Sequence, residues 1–400
     1  MRIKVNGAEK IYFDYNATTP TDPRVAKVMM EYFTENFGNP SSIHSIGKRA
    51  REAVENARLE VMKLMHARES DGKLIFTSGA TEANNIILKG LAMKAWKEEK
   101  NHLIISSIEH SCIMNSAKWL EKQGFKVTYL RVDKYGIVDL EQLENSITKK
   151  TFLVSIMHAN NEIGTIEPIR EASKICHDNN VLFHTDAAQS FGKIKVDVNE
   201  LGVDFLTVSA HKMYGPKGIG ALWIREGISI EPLIHGGGHE YGIRSGTENV
   251  PGIIGFGYAC KLRMKEMHEE EKRLTLFRDH IIKTVTETIP ESYLNGHPVK
   301  RLPNNVNIRF NFIEGEALVL LLDEMYGIQV SSGSACASHK PEPSHVLMAI
   351  GLRPEEAVGS IRISMGKWTT EEDVEYLLEV LPKAVKRLRD ISPFKGKWEV

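Results

Sequence analysis

The sequence predicts an α/β fold in which a mainly parallel sheet carries helices on both faces and a smaller α/β domain follows. First, short runs rich in Val, Ile and Phe alternate with amphipathic helical segments through the first part of the chain. Second, a new series of predicted strands and helices follows one long helical stretch. Third, a chain of 400 residues is longer than a single hydrophobic core usually accommodates, which favours two domains.

The larger domain begins with helices. Residues 23–37 and 47–67 predict amphipathic helices, because apolar residues recur every three or four positions. Six near-continuous apolar runs then predict buried parallel strands, which are covered on both faces. These runs are 73–79, 102–109, 126–132, 151–160, 181–190 and 203–212.

The smaller domain follows residues 251–290, which predict one long helix or two. NNVNIRFNF predicts a strand, GEALVLLLDEM a helix and SIRISMG a strand. Thr369 and Glu372 form a capping-box pattern at the start of the last helix. We expect a larger domain at 14–258 and a smaller one at 259–400 together with 1–13.

The charge pattern excludes some partners. Lys and Arg number 51 against 52 Asp and Glu, and no basic block marks a nucleic-acid surface. No apolar run reaches the roughly 18 residues of a membrane span, and the first residues do not resemble a signal peptide. We expect a soluble cytoplasmic protein with small-molecule or protein partners.

Unusual polar residues collect where the predicted strands end. Ligands of open parallel sheets bind outside the carboxyl ends of the strands, so these segments predict the site. They are TSGATEANN (77–85), EHS (109–111), HANNE (158–162), DAAQS (186–190) and SAHK (209–212).

Three of these strand ends suggest specific chemistry. Gly79, Ala80 and Thr81 run from a strand into a helix and predict an anion cradle, although such turns are also common without a ligand. Asp186 either faces a ligand or caps a helix. Lys212 closes the next strand, and the glycine-rich run after it lacks the GK[ST] of a nucleotide P-loop.

This combination points to a cofactor. Pyridoxal phosphate requires a lysine for its Schiff base, an acid at the pyridinium nitrogen and an anion site for its phosphate. Lys212, Asp186 and the cradle supply these groups, and His110 is placed to stack on the ring. A lone lysine is normally a solvated surface residue, but four converging features outweigh that interpretation.

The four cysteines contain no CxxC pair, which argues against a zinc ribbon or a disulfide scaffold. Cys176 and Cys260 lie in helical segments and are assigned to packing, as is Cys112 despite its closeness to His110. Cys336 lies in a Ser/Gly/Pro-rich loop near His339, where it is either a reactive thiolate or an idle cysteine.

No metal site is predicted. His235 and His239 are separated by three glycines, and the HExxH pattern fails because residue 243 is Ile.

The chain closely resembles the cysteine desulfurases of the IscS/NifS type in the class V aminotransferase family, which are pyridoxal-phosphate enzymes of the aspartate aminotransferase fold (fold type I). The resemblance covers almost the whole length. It rests on YFDYNATTP, GNPSSIH, TSGATEANN, EHS, MHANNEIG, DAAQS, SAHKMYGPKGIGAL, HGGGHEYGIRSGTEN, SSGSACAS and SIRISMG.

The resemblance implies a role for each matching residue. Lys212 would carry the cofactor as a Schiff base, Asp186 would hold the ring nitrogen, His110 would stack on the ring and assist proton transfer, and Gln189 would meet the ring oxygen. The phosphate would be bound by Ala80, Thr81, Ser209 and His211, with Thr247 reaching in from the second subunit of a homodimer. Asn161 would contact cofactor and substrate, Asn39 and Arg362 would hold the substrate carboxylate, and Cys336 would be the nucleophile.

The implied reaction removes sulfur from L-cysteine, giving L-alanine and a persulfide on Cys336. The sulfur would pass to iron–sulfur cluster assembly or another thiolation acceptor. The alternatives are a selenocysteine lyase or an aminotransferase on the same fold, or a non-catalytic sulfur carrier that keeps the fold as an interaction surface.

Overall fold

The computed structural model describes residues 2–5, 7–332 and 343–393. Its strands are β1 (Arg2–Val5), β2 (Ala8–Tyr12), β3 (Gly72–Thr77), β4 (His102–Ser106), β5 (Lys126–Leu130), β6 (Thr151–Ser155), β7 (Leu182–Asp186), β8 (Phe205–Ser209), β9 (Gly220–Arg225), β10 (Ser292–Leu294), β11 (Asn305–Phe310), β12 (Ile328–Gln329), β13 (Ser331–Ser332) and β14 (Ser360–Ser364). Its helices are α1 (Pro23–Thr34), α2 (Ser45–Leu64), α3 (Ala80–Lys97), α4 (Ser111–Lys122), α5 (Leu140–Ser146), α6 (Ile169–Asp178), α7 (Val198–Leu201), α8 (Val250–Thr288), α9 (Gly315–Tyr326), α10 (His345–Ala349), α11 (Pro354–Val358) and α12 (Glu371–Ile391).

The central sheet has seven strands in the order β3-β9-β8-β7-β6-β4-β5. It contains all six predicted strands, which run in one direction. The added strand, β9, pairs antiparallel with both β3 and β8. Sequence reasoning missed β9, because it returns from β8 through a short connection without the helix that marks a parallel crossover. The carboxyl ends of the six parallel strands therefore share one edge.

Both faces of the central sheet are buried. Along β3, Leu74 and Phe76 belong to the core on the face covered by α2 and α8, whereas Ile75 belongs to the core beneath α3 and α4. Successive strand side chains point to opposite faces, so each strand supplies apolar side chains to two cores. This explains why the strands appear in the sequence as unbroken apolar runs.

A second core surrounds a four-stranded antiparallel sheet with the order β10-β11-β14-β13. β1 and β2 form a separate sheet with β12. Helix α8 is a single helix of 39 residues, about 58 Å long, and packs against both cores. It runs through residue 258, where we placed the domain boundary, and that boundary stays a prediction.

The capping-box prediction was wrong by one residue. Helix α12 begins after Thr370, whose side chain accepts the N–H of Asp373, while the carboxylate of Asp373 accepts the N–H of Thr370. Thr369 instead accepts the N–H of Gly366 in the preceding turn. Either of the two adjacent threonines could cap the helix. Thr369 is engaged in the preceding turn, so Thr370 is the N-cap residue.

A buried ion pair holds the glycine-rich segment 235–249 against the body of the protein. Arg58 of α2 donates to both carboxylate oxygens of Glu240, at 2.8 and 2.9 Å. Glu240 also accepts the backbone N–H of Phe76 at 2.7 Å. The Arg58 side chain is 7% exposed and that of Glu240 is 4% exposed, so neither charge has water as a replacement partner.

We expect Arg58→Ala to lower the free energy of unfolding by about 3–5 kcal/mol, because it leaves the Glu240 carboxylate buried without its cation. Urea unfolding of both proteins measures the difference. Lys63→Ala is the control, since Lys63 pairs with Glu60 on the surface and should change stability by no more than about 0.5 kcal/mol. Equal effects of the two substitutions would contradict the assigned role of Arg58.

Candidate active site

A cavity of about 650 Å³ opens at the carboxyl edge of the central sheet. Most of the predicted site residues line it, although they come from distant parts of the sequence. They are Ala80, Thr81, His110, Asn161, Asp186, Gln189, Ser209, His211, Lys212 and Arg362. The structure thus brings these predicted groups together, and the chemical role of each stays a prediction.

Among the described residues, two that were predicted for the site do not line the cavity of this single chain. Asn39 is exposed, and its side-chain oxygen accepts the N–H of Ser41. Thr247 is also exposed, and its expected contact with a partner subunit stays a prediction. Cys336 lies outside the described residues.

One end of the cavity is formed by the start of α3. The N-cap residue is Gly79, so no side chain caps the first backbone N–H groups of this 18-residue helix. Gly79, Ala80 and Thr81 line the cavity there, with Ser209 and His211 from the end of β8. Uncapped N–H groups at the positive end of a helix, beside hydroxyl groups, form a site suited to a phosphate.

This end depends on a close backbone approach at Gly220. In the sheet, Gly220 lies between Thr77 and Ser209. A Cβ atom on Gly220 would lie 2.8 Å from backbone atoms of Gly79 and 2.7 Å from the carbonyl oxygen of Val208. Only glycine leaves room for the turn into α3 at this point.

The carboxylate of Asp186 is held in place at the end of β7. Its Oδ1 accepts the N–H of Ala188 at 2.9 Å, and its Oδ2 accepts from Nδ2 of Asn84 at 2.7 Å. No helix starts here, so the helix-cap alternative is not realised. Asp186 is 5% exposed and faces the cavity, where it can hold a cationic ring nitrogen.

Lys212 ends the short 3-10 turn that follows β8. Strand β8 pairs with β7, which ends at Asp186. Its Nζ donates to the carbonyl oxygens of Asn16 and Ala17, both at 2.7 Å. Burial, and then the charge of Arg362, lower the pKa of Lys212 to about 8. Half of an amine with this pKa is neutral, and therefore nucleophilic, at pH 8.

Asn16 is a central residue of the site that sequence reasoning missed. Its carbonyl oxygen also accepts from Nε2 of Gln189 at 3.0 Å, and its side-chain oxygen accepts from Nζ of Lys193 at 3.1 Å. Lys193 is buried and donates to Gln189 as well, at 2.9 Å. The YFDYNATTP motif contains Asn16, but it is the folded chain that reveals these contacts.

Arg362 enters the cavity from β14. Its Nη2 contacts Oδ1 of Asp14 at 2.8 Å, and its Nη1 donates to the carbonyl oxygen of Asn161 at 3.1 Å. Its Nε is buried and has no partner among the residues that the structure describes. A guanidinium with unused donors can bind a carboxylate, and Asp14 is a partner that sequence reasoning missed.

His110 is the N-cap residue of α4 and lies on the cavity wall. The surrounding protein displaces water and thereby lowers its pKa, which Lys212 and His345 lower further and Asp186 raises. Cys112, which we assigned to packing, packs against the core beneath α3 and α4, but its Sγ also lies 3.1 Å from Nδ1 of His110.

Two cysteines and two histidines that the sequence singled out, Cys176, Cys260, His235 and His239, do not line this cavity. Cys176 and Cys260 are fully buried in the core, as predicted. Nδ1 of His239 accepts the N–H of Gly246. Within 2–5, 7–332 and 343–393, no three His, Cys, Asp or Glu side chains are arranged to hold a metal ion.

None of the helices in the described part of the chain is both long and apolar enough to span a membrane.

Comparison with known proteins gives the same family throughout. Residues 11–377 match the aminotransferase class-V family. "Cysteine desulfurase IscS 1" from Archaeoglobus fulgidus is 55% identical over 382 residues, covering 96% of this chain and 98% of the relative.

Two solved structures agree. A "NifS-like protein" is 40% identical with a TM-score of 0.88 and covers 95% of this chain and 100% of its own. "SspA in complex with cysteine" is 39% identical with a TM-score of 0.79 and covers 90% and 99%. These likenesses confirm the predicted fold class, the aspartate aminotransferase-like fold of pyridoxal-phosphate enzymes. The chain belongs to the class-V aminotransferase family, as a cysteine desulfurase of the IscS/NifS type.

Proposed function

We propose that the protein removes sulfur from L-cysteine at the cavity beside Lys212, forming L-alanine and leaving the sulfur as a persulfide on Cys336. The observation that carries this proposal is the meeting of Lys212, Asp186 and the uncapped start of α3 in one cavity. The net change moves one sulfur atom: the substrate CH₂–SH becomes CH₃, and the enzyme thiol becomes S–SH.

The cavity suits pyridoxal phosphate, the cofactor of this family. Lys212 offers the amine for covalent attachment, Asp186 an anion for the pyridinium nitrogen, and Thr81, Ser209 and the first turn of α3 the donors for phosphate. When bound, the cofactor supplies an electron sink that weakens the bonds at the substrate Cα. The Oδ atoms of Asp186 are already fixed by two donors, so this carboxylate is preoriented for the ring.

We assign proton removal, substrate binding and sulfur acceptance to side chains of the protein itself. Nζ of Lys212, once neutral, is the base placed to remove the Cα proton. Arg362 holds the substrate carboxylate through donors that Asp14 and Asn161 leave free. SspA was solved with cysteine bound, which supports a cavity of this family as a cysteine site. Cys336, outside the described residues, is the sulfur acceptor on sequence grounds alone.

We further propose a cytoplasmic homodimer in which Thr247 of one subunit contributes to the phosphate site of the other. Thr247 is exposed and does not line the cavity of its own chain, which supports a role across an interface. The three described cysteines are free thiols, as expected in a reducing compartment. The persulfide sulfur then passes to an acceptor protein such as an iron–sulfur scaffold.

The activity is tested by incubating full-length protein with L-cysteine and a reductant and measuring alanine and sulfide together. We expect equal amounts of the two products. Cys336→Ser should lower both by roughly two orders of magnitude or more, because the acceptor thiol is absent. Cys176→Ala, which removes a buried thiol that does not line the cavity, is the matched control.

Other outcomes identify the alternatives. Unchanged turnover in Cys336→Ser would indicate an aminotransferase, and faster selenide than sulfide release would indicate a selenocysteine lyase. Borohydride treatment followed by mass spectrometry should place a pyridoxyl group on Lys212. Protein that binds no cofactor and forms no alanine would point to a non-catalytic carrier.

We expect acetylation of Lys212 in the cofactor-free protein to increase with pH, to reach half of its maximum near pH 8 and to level off above it, since only the neutral amine reacts. Competitive labelling with acetic anhydride and peptide mass spectrometry measures this profile. Asp14→Asn should move the midpoint lower, because Asp14 raises the pKa of Lys212. Asp178→Asn, an exposed carboxylate at the end of α6, is the control. A midpoint near the ordinary value of about 10.4 would refute the assigned environment.

A further inference from the structure

A buried amide joins the Asp186 carboxylate to the Cys112 thiol. Asn84 lies in the second turn of α3 and is fully buried. Its Nδ2 donates to Oδ2 of Asp186 at 2.7 Å and lies 3.2 Å from Sγ of Cys112. An amide nitrogen carries two hydrogens, so one can serve the carboxylate and the other the sulfur. The carboxylate contact fixes the orientation of the amide, because an ionised carboxylate only accepts.

The same sulfur contacts His110. Nδ1 of His110 accepts the backbone N–H of Cys112 at 3.3 Å and lies 3.1 Å from its Sγ. A backbone N–H can only donate, so Nδ1 must present its lone pair. The sulfur already accepts from Asn84, which leaves its S–H free to donate to Nδ1.

The thiol is suited to this donor role. Burial and then the charge of Asp186 raise the pKa of Cys112 to about 12. The sulfur therefore keeps its proton throughout the range in which enzymes work. A thiolate, by contrast, would accept a hydrogen bond from Nδ1 and favour the opposite arrangement of the imidazole.

We propose that Asn84 and Cys112 are positioning residues, which connect Asp186 to His110 and hold the proton of the neutral imidazole on Nε2. The proposal rests on the proposed function in so far as His110 acts on a substrate bound in the cavity. With Nδ1 occupied by two donors, Nε2 is the ring nitrogen that carries or releases a proton. The local sequence does not predict this link between Asp186 and His110, because Asn84 lies in α3, Cys112 in α4 and Asp186 at the end of β7.

The charged and titratable groups around His110 come from several elements. Asp186 ends β7, Lys212 follows β8 and His345 begins α10. His345 contacts the carbonyl oxygen of Glu109 through Nε2 at 2.9 Å. The Glu109 side chain is fully buried, which raises its pKa well above the usual value. The hydrogen-bond contacts that the structure describes for Nδ1 involve only Cys112 and none of these groups. The two Cys112 donors therefore determine which ring nitrogen carries the proton.

The tautomer is measured by two-bond ¹H–¹⁵N correlation spectra of full-length protein labelled with ¹⁵N-histidine and purified with its cofactor. His110→Gln identifies the signals of His110. We expect the Nε2–H form in the unaltered protein. Cys112→Ala should increase the fraction of the Nδ1–H form roughly two- to fivefold, since one hydrogen bond to Nδ1 is lost. It should also raise the pKa of His110, because both donors oppose protonation of Nδ1.

Two variants separate positioning from general packing. Cys112→Ser keeps a donor at the same place and should restore the Nε2–H form, whereas Cys260→Ala removes a buried thiol from α8 and should leave His110 unchanged. Asn84→Ala should shift His110 in the same direction as Cys112→Ala, and the double variant should shift it by less than the sum. If an Asn84 variant does not fold, the comparison of Cys112→Ala with Cys112→Ser still tests the proposal.

Two results would overturn the proposal: an Nδ1–H imidazole in the unaltered protein, or identical His110 signals in Cys112→Ala and the unaltered protein. These results do not depend on turnover. Protein that shows the expected tautomer but forms no alanine from cysteine would refute the proposed function and leave the positioning role intact.

Discussion

The geometry of the site depends on the backbone of one residue, Asn16. Its carbonyl oxygen accepts from Nζ of Lys212 at 2.7 Å and from Nε2 of Gln189 at 3.0 Å, which uses both lone pairs. Its N–H donates to Oγ of Ser364 in β14, at 2.9 Å. The reactive amine is thus held by backbone atoms that no side-chain substitution removes. The N–H of the same residue is held by β14 of the smaller sheet, so the position of β14 relative to the central sheet determines where Lys212 is held.

The charges around Lys212 balance opposite requirements. Burial and the Arg362 cation lower the pKa of the amine, while Asp14 and Asp186 raise it, and the result lies near 8. Without the two carboxylates the pKa of the amine would be lower still. A substrate carboxylate at Arg362 would add a third anion close to the amine. Its arrival would therefore make Lys212 more basic at the moment when a proton must leave Cα.

The sequence predicted the parts of the site that have local signatures. The apolar runs showed where strands end, and a glycine before a helix predicted an anion cradle at Ala80 and Thr81, which the structure places on the cavity wall. Asn84 and Asp14 carry no such signature, because each contacts a charged residue of the site that lies more than a hundred positions away. The antiparallel β9 was missed for a related reason, since its direction follows from pairing and not from its own composition. Local chemistry can be predicted from sequence, whereas the partners that orient it depend on the completed fold.

The partner of His110 sets this site apart from the common arrangement in which a carboxylate accepts from Nδ1–H of a histidine. A carboxylate partner stabilises the imidazolium and raises its pKa. Here Nδ1 faces two donors from Cys112, and the cationic Lys212 also disfavours the imidazolium. Burial, which lowers the pKa of His110 most, acts in the same direction, so His110 is kept neutral beside the Asp186 carboxylate, which by itself would attract a proton to the ring. A neutral imidazole can stack on a cationic pyridine ring without charge repulsion, so the Cys112 thiol would preserve the form of His110 that suits the two roles predicted for it, ring stacking and proton transfer through Nε2.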